Sequence, residues 1–381
     1  MKKHIYLIAL AISLFSTQVF SVNVEFSGYG SIVAGKTFGT VDDPINIGER
    51  RDEIFTADFY DVGQYNNDFS FKPETVFALQ AKTKLSDNVS ITAQLVSKAV
   101  DEFSPDLDWF YLTYKLNEDW TFMAGRRNIP MYYFSEFSEV GYAYPWIRPP
   151  ANLYWWQVTQ FNAVQALYTF VWGEYNHTVN FFYGNEYSKD NKEMLFYERL
   201  YGTGASSVDE FWTDITGFNW NVSGEYFDVR FVYFVNDRDR DIFFPDGSMT
   251  SNRHFSQSFI GFGGTINLYP LTILFDYNFV DYDDVRGTEF PTYLISLAYS
   301  IDEFQPYISY SKADHERTKA TPPTEDLEEH YLLSVGLRYD FIPTAAFKIQ
   351  LDKFVDQGHA PTGWNYHGDS TALTFGVDFI F

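Results

Sequence analysis

The chain of 381 residues has no cysteine and a formal net charge of -24, yet it contains 39 Phe, 29 Tyr and 9 Trp. Acidic disordered chains are poor in aromatics, nothing here neutralises phosphates, and thiol catalysis, disulfide scaffolds and zinc ribbons all need the missing cysteines; each of these classes is excluded. Only 45% of the residues are hydrophobic, and the mean hydropathy is slightly negative, too polar for an ordinary soluble core to hold so many rings.

The amino terminus begins with Met1-Lys2-Lys3, continues through an apolar run from Ile5 to Phe15, and offers Val19-Phe20-Ser21 at the cleavage positions. This pattern predicts a secretory signal over residues 1–21, removed to leave one domain over 22–381. The apolar run falls short of the ~20 residues that a membrane-crossing helix requires. The mature chain is therefore expected to be soluble in an exported compartment or to cross a membrane as strands.

Period-2 alternation starts at once. Val24, Phe26, Gly28, Gly30 and Ile32 share one face, and Asn23, Glu25, Ser27 and Ser31 share the other. Phe77, Leu79, Ala81 and Leu85 lead through Ser86-Asp87-Asn88 into Val89, Ile91, Ala93 and Leu95, a hairpin signal. Six further short turns are predicted around residues 117–119, 173–176, 222–225, 268–270, 301–304 and 341–344. Longer polar segments lie near 36–73, 99–104, 128–160, 186–210, 236–254, 281–290, 313–329 and 355–369. With a first strand near 22–35 and a last near 370–381, the pattern predicts sixteen strands; the stretch 211–221 has a mixed face pattern.

Short turns alternating with long segments, an even strand number and strands of ~10 residues predict an all-β fold, a transmembrane antiparallel β-barrel. Tyr331, Leu333, Val335, Leu337 and Tyr339 have aromatic ends and an aliphatic middle, as lipid-facing positions do, and Tyr293, Ile295, Leu297 and Tyr299 repeat this. Leu373, Phe375, Val377, Phe379 and Phe381 resemble the carboxyl-terminal strand of bacterial outer-membrane proteins, which ends in Phe.

With Gly28-Tyr29-Gly30 in the opening strand, the hairpin from Trp109 to Arg126, Trp120 to Gly125-Arg126 before a long segment, and the terminal Phe, the mature chain resembles the general-type Gram-negative outer-membrane porins. The resemblance implies sixteen strands, a third long loop folded inside the barrel, a homotrimer, and an outer-membrane setting among lipid and lipopolysaccharide. It also implies a water-filled channel for passive diffusion of small hydrophilic solutes and ions. The segment 128–160 departs from enteric porins in its many rings and in Arg148-Pro149-Pro150.

A sixteen-stranded barrel encloses water, so selectivity needs a constriction where charges act across a narrow gap. Candidates are Glu136 and Glu139 on the loop, Arg126 and Arg127 at its root, Arg148, and Lys82 on the wall. Arg230, Arg338 and Lys348 also face the lumen by alternation, but a solvating or pairing role suits each of them better. Tyr142, Tyr144 and Trp146 form either a stacking track for flat-faced solutes or packing between loop and wall, so a sugar- or anion-selective channel is the alternative reading. Carboxylates gather at Asp237, Asp239, Asp241, at Asp281, Asp283, Asp284, and at Glu325, Asp326, Glu328, Glu329, without the spacing of a calcium loop. No Gly-x-Ser-x-Gly or His-Glu-x-x-His occurs, so neither an enzyme nor a metal or cofactor is expected. An outer-membrane barrel enzyme is the rival reading, and an adhesin or purely structural barrel is the remaining class.

Overall fold

The computed structural model describes residues 23–381 except 44–45, 47, 157, 196–197, 199–206, 284–286, 320–327 and 359–367. The predicted signal segment 1–21 and the carboxylates Asp284, Glu325 and Asp326 lie outside the described residues.

The chain opens with β1 (Val24–Thr37) and then makes two small hairpins, β2 (Thr40–Asp42) with β3 (Arg50–Asp52) and β4 (Phe55–Asp58) with β5 (Gly63–Tyr65). Next come β6 (Val76–Lys84), β7 (Val89–Lys98), β8 (Pro105–Lys115), β9 (Trp120–Asn128), β10 (Gln160–Trp172), β11 (Tyr175–Asn191), β12 (Ser207–Ser223) and β13 (Phe227–Phe243). β14 (Met249–Leu268), β15 (Leu271–Tyr282), β16 (Thr288–Tyr299), β17 (Phe304–Arg317), β18 (Glu328–Ile342), β19 (Ala345–Asp356) and β20 (Ser370–Ile380) complete it. β1 and β6 through β20 close one antiparallel barrel of sixteen strands, each beside its chain neighbour and β1 beside β20. Closure leaves no backbone edge unpaired, the condition for strands to cross hydrocarbon.

Local chemistry explains the hairpins. Asn117 Oδ1 accepts the N–H groups of Asp119 at 3.0 Å and Trp120 at 2.7 Å, and Ser86 Oγ accepts that of Val89 at 3.1 Å. Side chains thus take over backbone pairing at two of the predicted turns. At the seam of the barrel, Gly28 and Phe381 exchange backbone hydrogen bonds of 2.9 and 3.1 Å. A Cβ on Gly28 would lie 2.4 Å from the Phe381 ring, and one on Gly30 would lie 2.5 Å from the Phe379 ring. The terminal rings need those two glycines to seat.

The outer face carries the predicted apolar positions: Phe26, Ile32, Tyr293, Ile295, Leu297, Tyr299, Leu333 and Val335 are all exposed. The opposite face of the same strands is largely buried, apart from Glu25 and Ser27 at the start of β1. It is not polar throughout, as a simple alternation of lipid and water would have it. From β10 to β17 the inner wall carries Phe161, Phe182, Trp212, Val232, Phe234, Phe259 and Leu274, joined in one apolar cluster with residues of the 129–159 segment.

Several boundaries differ from the sequence expectation: the segment 36–73 contains β2 to β5, and strands extend into the segments 186–210, 236–254 and 313–329. The stretch 237–241 belongs to β13, which pairs with β12 and β14 up to Phe243, so Asp237, Asp239 and Asp241 are strand residues. Arg238 and Arg240 there both reach Glu210. Strands that rise past the lipid have polar residues on both faces, which hides them from an apolar count. The mixed pattern in β12 has its cause in register shifts between Gly184 and Glu186 and between Thr213 and Thr216, with Asp214 at φ 53. A bulge inverts face parity partway along a strand.

Candidate functional site

Residues 129–159 leave β9 and return to β10 beside their point of departure, where Asn128 faces Gln160 and the Ile129 N–H meets the Thr159 carbonyl at 2.8 Å. Between these ends the segment lies on the buried face of the wall. Trp146 Nε1 donates to Ser296 Oγ at 3.0 Å, the Ile147 N–H to Gln350 Oε1 at 2.9 Å, and the Tyr133 hydroxyl to Asp228 at 2.9 Å. Pro149-Pro150 form a corner that continues as a turn, with Leu153 N–H bonded to the Pro150 carbonyl at 3.0 Å.

Three wall cations clasp this loop. Arg338 donates to the carbonyls of Tyr142 at 2.7 Å and Tyr144 at 3.1 Å. Its register partner Lys348 donates to those of Gly141 and Trp146, each at 2.5 Å, and ion-pairs with Asp378 at 2.8 Å. Arg230 donates to the Tyr132 carbonyl at 3.2 Å and to Glu136 at 2.6 Å. Gly141 permits the approach: a Cβ there would sit 2.3 Å from Asp378 Oδ1.

The loop separates two chambers. One faces Tyr132, Ser135, Ser138 and Glu139 on the loop, Asp58 and Tyr60 on the first-loop hairpin, and Lys98 and Asp108 on the wall. The other faces Tyr133, Phe134, Phe137 and Tyr144 on the loop, and Asp228, Arg338 and Asp340 near the short turns. Neighbouring loop residues thus look into opposite chambers.

Each expected constriction residue has a definite place. Glu139 lies between Lys98 at 2.8 Å and Arg148 at 3.1 Å, and Arg148 also reaches Glu74, through its carbonyl and at 4.0 Å through its carboxylate. Burial alone pushes the Glu139 carboxyl up, but Lys98 and Arg148 outweigh it and hold it below the usual range. Burial opposes the Arg148 charge, and Glu139 more than compensates. Glu136 meets Arg230, whereas Arg126 binds Glu186 at 2.8 Å and Gln160 at 2.6 Å, and Arg127 lies 4.8 Å from the Tyr111 ring centre. The loop therefore brings Glu139 and Arg148 together but not Arg126 or Arg127 with either glutamate. Lys82 is exposed, two residues before the end of β6.

Among the rings, Tyr144 and Trp146 are each 1% exposed, packed on Phe134 at 5.9 and 5.4 Å between centres. Tyr142 is half-buried; its hydroxyl donates to the Pro343 carbonyl at 2.8 Å and its ring lies 4.6 Å from the Arg338 guanidinium.

Sequence reasoning did not single out Lys98, Asp108 or the first-loop carboxylates. Lys98 pairs with Asp61, which also holds Lys192 at 2.7 Å. Burial pushes Asp61 up, and the two lysines bring it below the usual range. Burial raises Asp58 to about 6, against Lys98, and Glu74 to about 7, against Arg148. The facing of Lys98 was legible: it shares parity with Thr92, Gln94 and Val96, opposite the lipid-facing Leu95. The inward fold of the first loop had no such signal.

No protein-family model matches the chain, and no curated protein matches it in sequence. Solved structures do match. OmpT of Vibrio cholerae lacking loop L8 is 12% identical, with a TM-score of 0.59 over 94% of this chain and 99% of its own. OmpF of Salmonella typhi, in complex with daunomycin, is 11% identical, with a TM-score of 0.59 over 94% and 97%. An anion-selective porin from Comamonas acidovorans is 12% identical, with a TM-score of 0.55 over 94% and 100%. Over nearly its full length, the chain has the closed sixteen-strand fold of the Gram-negative outer-membrane porins.

Proposed function

We propose that the protein is an outer-membrane channel that admits small hydrophilic solutes and ions by passive diffusion and prefers cations. The carrying observation is that Arg230, Arg338 and Lys348 of the wall hydrogen-bond the 129–159 loop, whose residues border two chambers. These wall cations are occupied by loop carbonyls and carboxylates, as are Lys98 and Arg148. Around the two chambers Asp58, Asp108 and Asp228 form no ion pair among the described residues, whereas Lys98, Arg148 and Arg338 do, so a permeating cation gains from a field that water screens poorly in a narrow gap. The anion preference named for the Comamonas porin is not what this charge pattern supports. A neighbour of the same fold, OmpT, is described in a trimer form, and the exposed apolar belt suits a homotrimer in lipid and lipopolysaccharide. Export through a signal removed after Ser21 completes this reading.

Planar-bilayer recording of the purified protein tests it. Discrete conductance steps and a cation-directed reversal potential in a KCl gradient are expected. A folded, inserted barrel that gives no steps refutes the channel; an anion-directed potential refutes the preference. Covered as they are, Tyr144 and Trp146 favour a packing role over a stacking track, so glucose or maltose is expected to leave the current unblocked.

A further inference from the structure

We propose that the way through the barrel is a seam between two inward segments, and that the β4–β5 hairpin of the first loop sets the width of this seam and its charge. This rests on the channel reading above. The 129–159 loop covers the wall from β10 to β17. The loop also reaches β18 and β19 through Arg338 and Lys348, and the hairpin packs on the same side of the barrel: Phe55, Ala57 and Tyr65 are buried among Leu332, Phe354 and Ala372 on the inner face of β18, β19 and β20. Its turn then meets the loop, with Phe59 and Val62 packed on Ala151. What stays open is the chamber bounded by hairpin, loop and the wall around Lys98 and Asp108.

Charge follows the same division. Residues 55–65 carry Asp58 and Asp61 and no basic residue. Lys98 and Arg148, the basic groups bordering the chamber, are tied to Asp61, Glu139 and Glu74. Asp58 accepts the Asp61 N–H at 3.3 Å, and Asp108 accepts the Gln94 amide at 3.2 Å and that of Gln160. Lys98 lies near both, but it is ion-paired to Asp61 and Glu139, so these two carboxylates, bonded by uncharged donors, keep charge to offer a passing cation. Asp58 and Asp108 are thus specificity-determining residues of the passage, Asp61 neutralises Lys98 beside them, and Phe55, Tyr65 and Val62 are positioning residues that hold the hairpin there.

Phe55 and Tyr65 are cross-strand partners, so the segment 56–64 can be excised and bridged by two glycines without moving the rest of the loop. Single-channel recording of this deletion in KCl, with polyethylene glycols of increasing size added to the bath, is the test. Conductance is expected to rise by about twofold or more, and the largest polymer that enters is expected to grow. Unchanged conductance and unchanged polymer exclusion overturn the proposal. The variant Asp58→Asn with Asp61→Asn keeps the hairpin and provides a second arm. Its cation preference is expected to fall, whereas an unchanged reversal potential overturns the charge assignment even if the deletion does not fold. A silent wild type with a conducting deletion keeps the hairpin's role and refutes only the open-channel reading; silence in both refutes both.

Discussion

Replacing Lys348 with methionine tests how the inward loop is held. The side chain is wholly buried, its ammonium bonded to the carbonyls of Gly141 and Trp146 at 2.5 Å, paired with Asp378 at 2.8 Å, and 5.1 Å from the Tyr144 ring centre. Methionine matches the volume and removes the charge. Asp378, 2% exposed on its side chain, then has no cation, and two buried carbonyls lose their donor. Breaking one side of a buried pair costs about 3–5 kcal/mol, mostly the penalty of the stranded charge. The lost carbonyl bonds are part of that cost, because groups sharing one site do not add. Neutralising the partner as well, with Asp378→Asn, is expected to recover a large share of it. Equilibrium urea unfolding from lipid vesicles measures both variants against wild type. A loss below about 1 kcal/mol for Lys348→Met refutes the reasoning, since no stranded buried charge costs so little. A double variant no more stable than the single one refutes the role given to Asp378.

Acidification is expected to weaken the cation preference. Asp58, raised to about 6, and Glu74, raised to about 7, are charged at pH 8 and largely neutral at pH 5. Because both bind their proton more tightly folded than unfolded, the same change favours the fold as pH falls through that window. Reversal potentials at pH 8 and 5 check this; a preference that is constant or grows on acidification contradicts it. Trp146→Ala removes a ring 1% exposed and bonded to Ser296, and a loss of about 3–5 kcal/mol is expected in urea unfolding. Gly28→Val places a side chain into the Phe381 ring and within 2.5 Å of the Ala78 carbonyl. Slower or incomplete closure is expected, read as a reduced fraction of compact barrel by cold SDS electrophoresis of refolded protein.

The strand number and the lipid-facing set were legible because they depend on period-2 alternation and on turn chemistry between neighbours in sequence. Leu333, Val335 and Tyr339 on one face, and the Asn117 turn, need no knowledge of the rest of the chain. The upper parts of β13 and β14 were not, since residues such as Asp237 and Arg238 pair in a sheet with water on its outer side. The apolar inner wall left one signal, continuous runs such as Phe231-Val232-Tyr233-Phe234-Val235, where both parities are hydrophobic.

Sequence alone determined that this chain makes hairpins with one apolar face, ending in a strand with a terminal Phe. Only the tertiary structure decided which charges meet. Glu136 finds Arg230 94 residues away, and Lys348 reaches the Gly141 carbonyl across 207. The first-loop hairpin settles on strands some three hundred residues later in the chain. Closing the barrel brings those partners together, and no pattern within one strand encodes which side of the lumen a loop will fill.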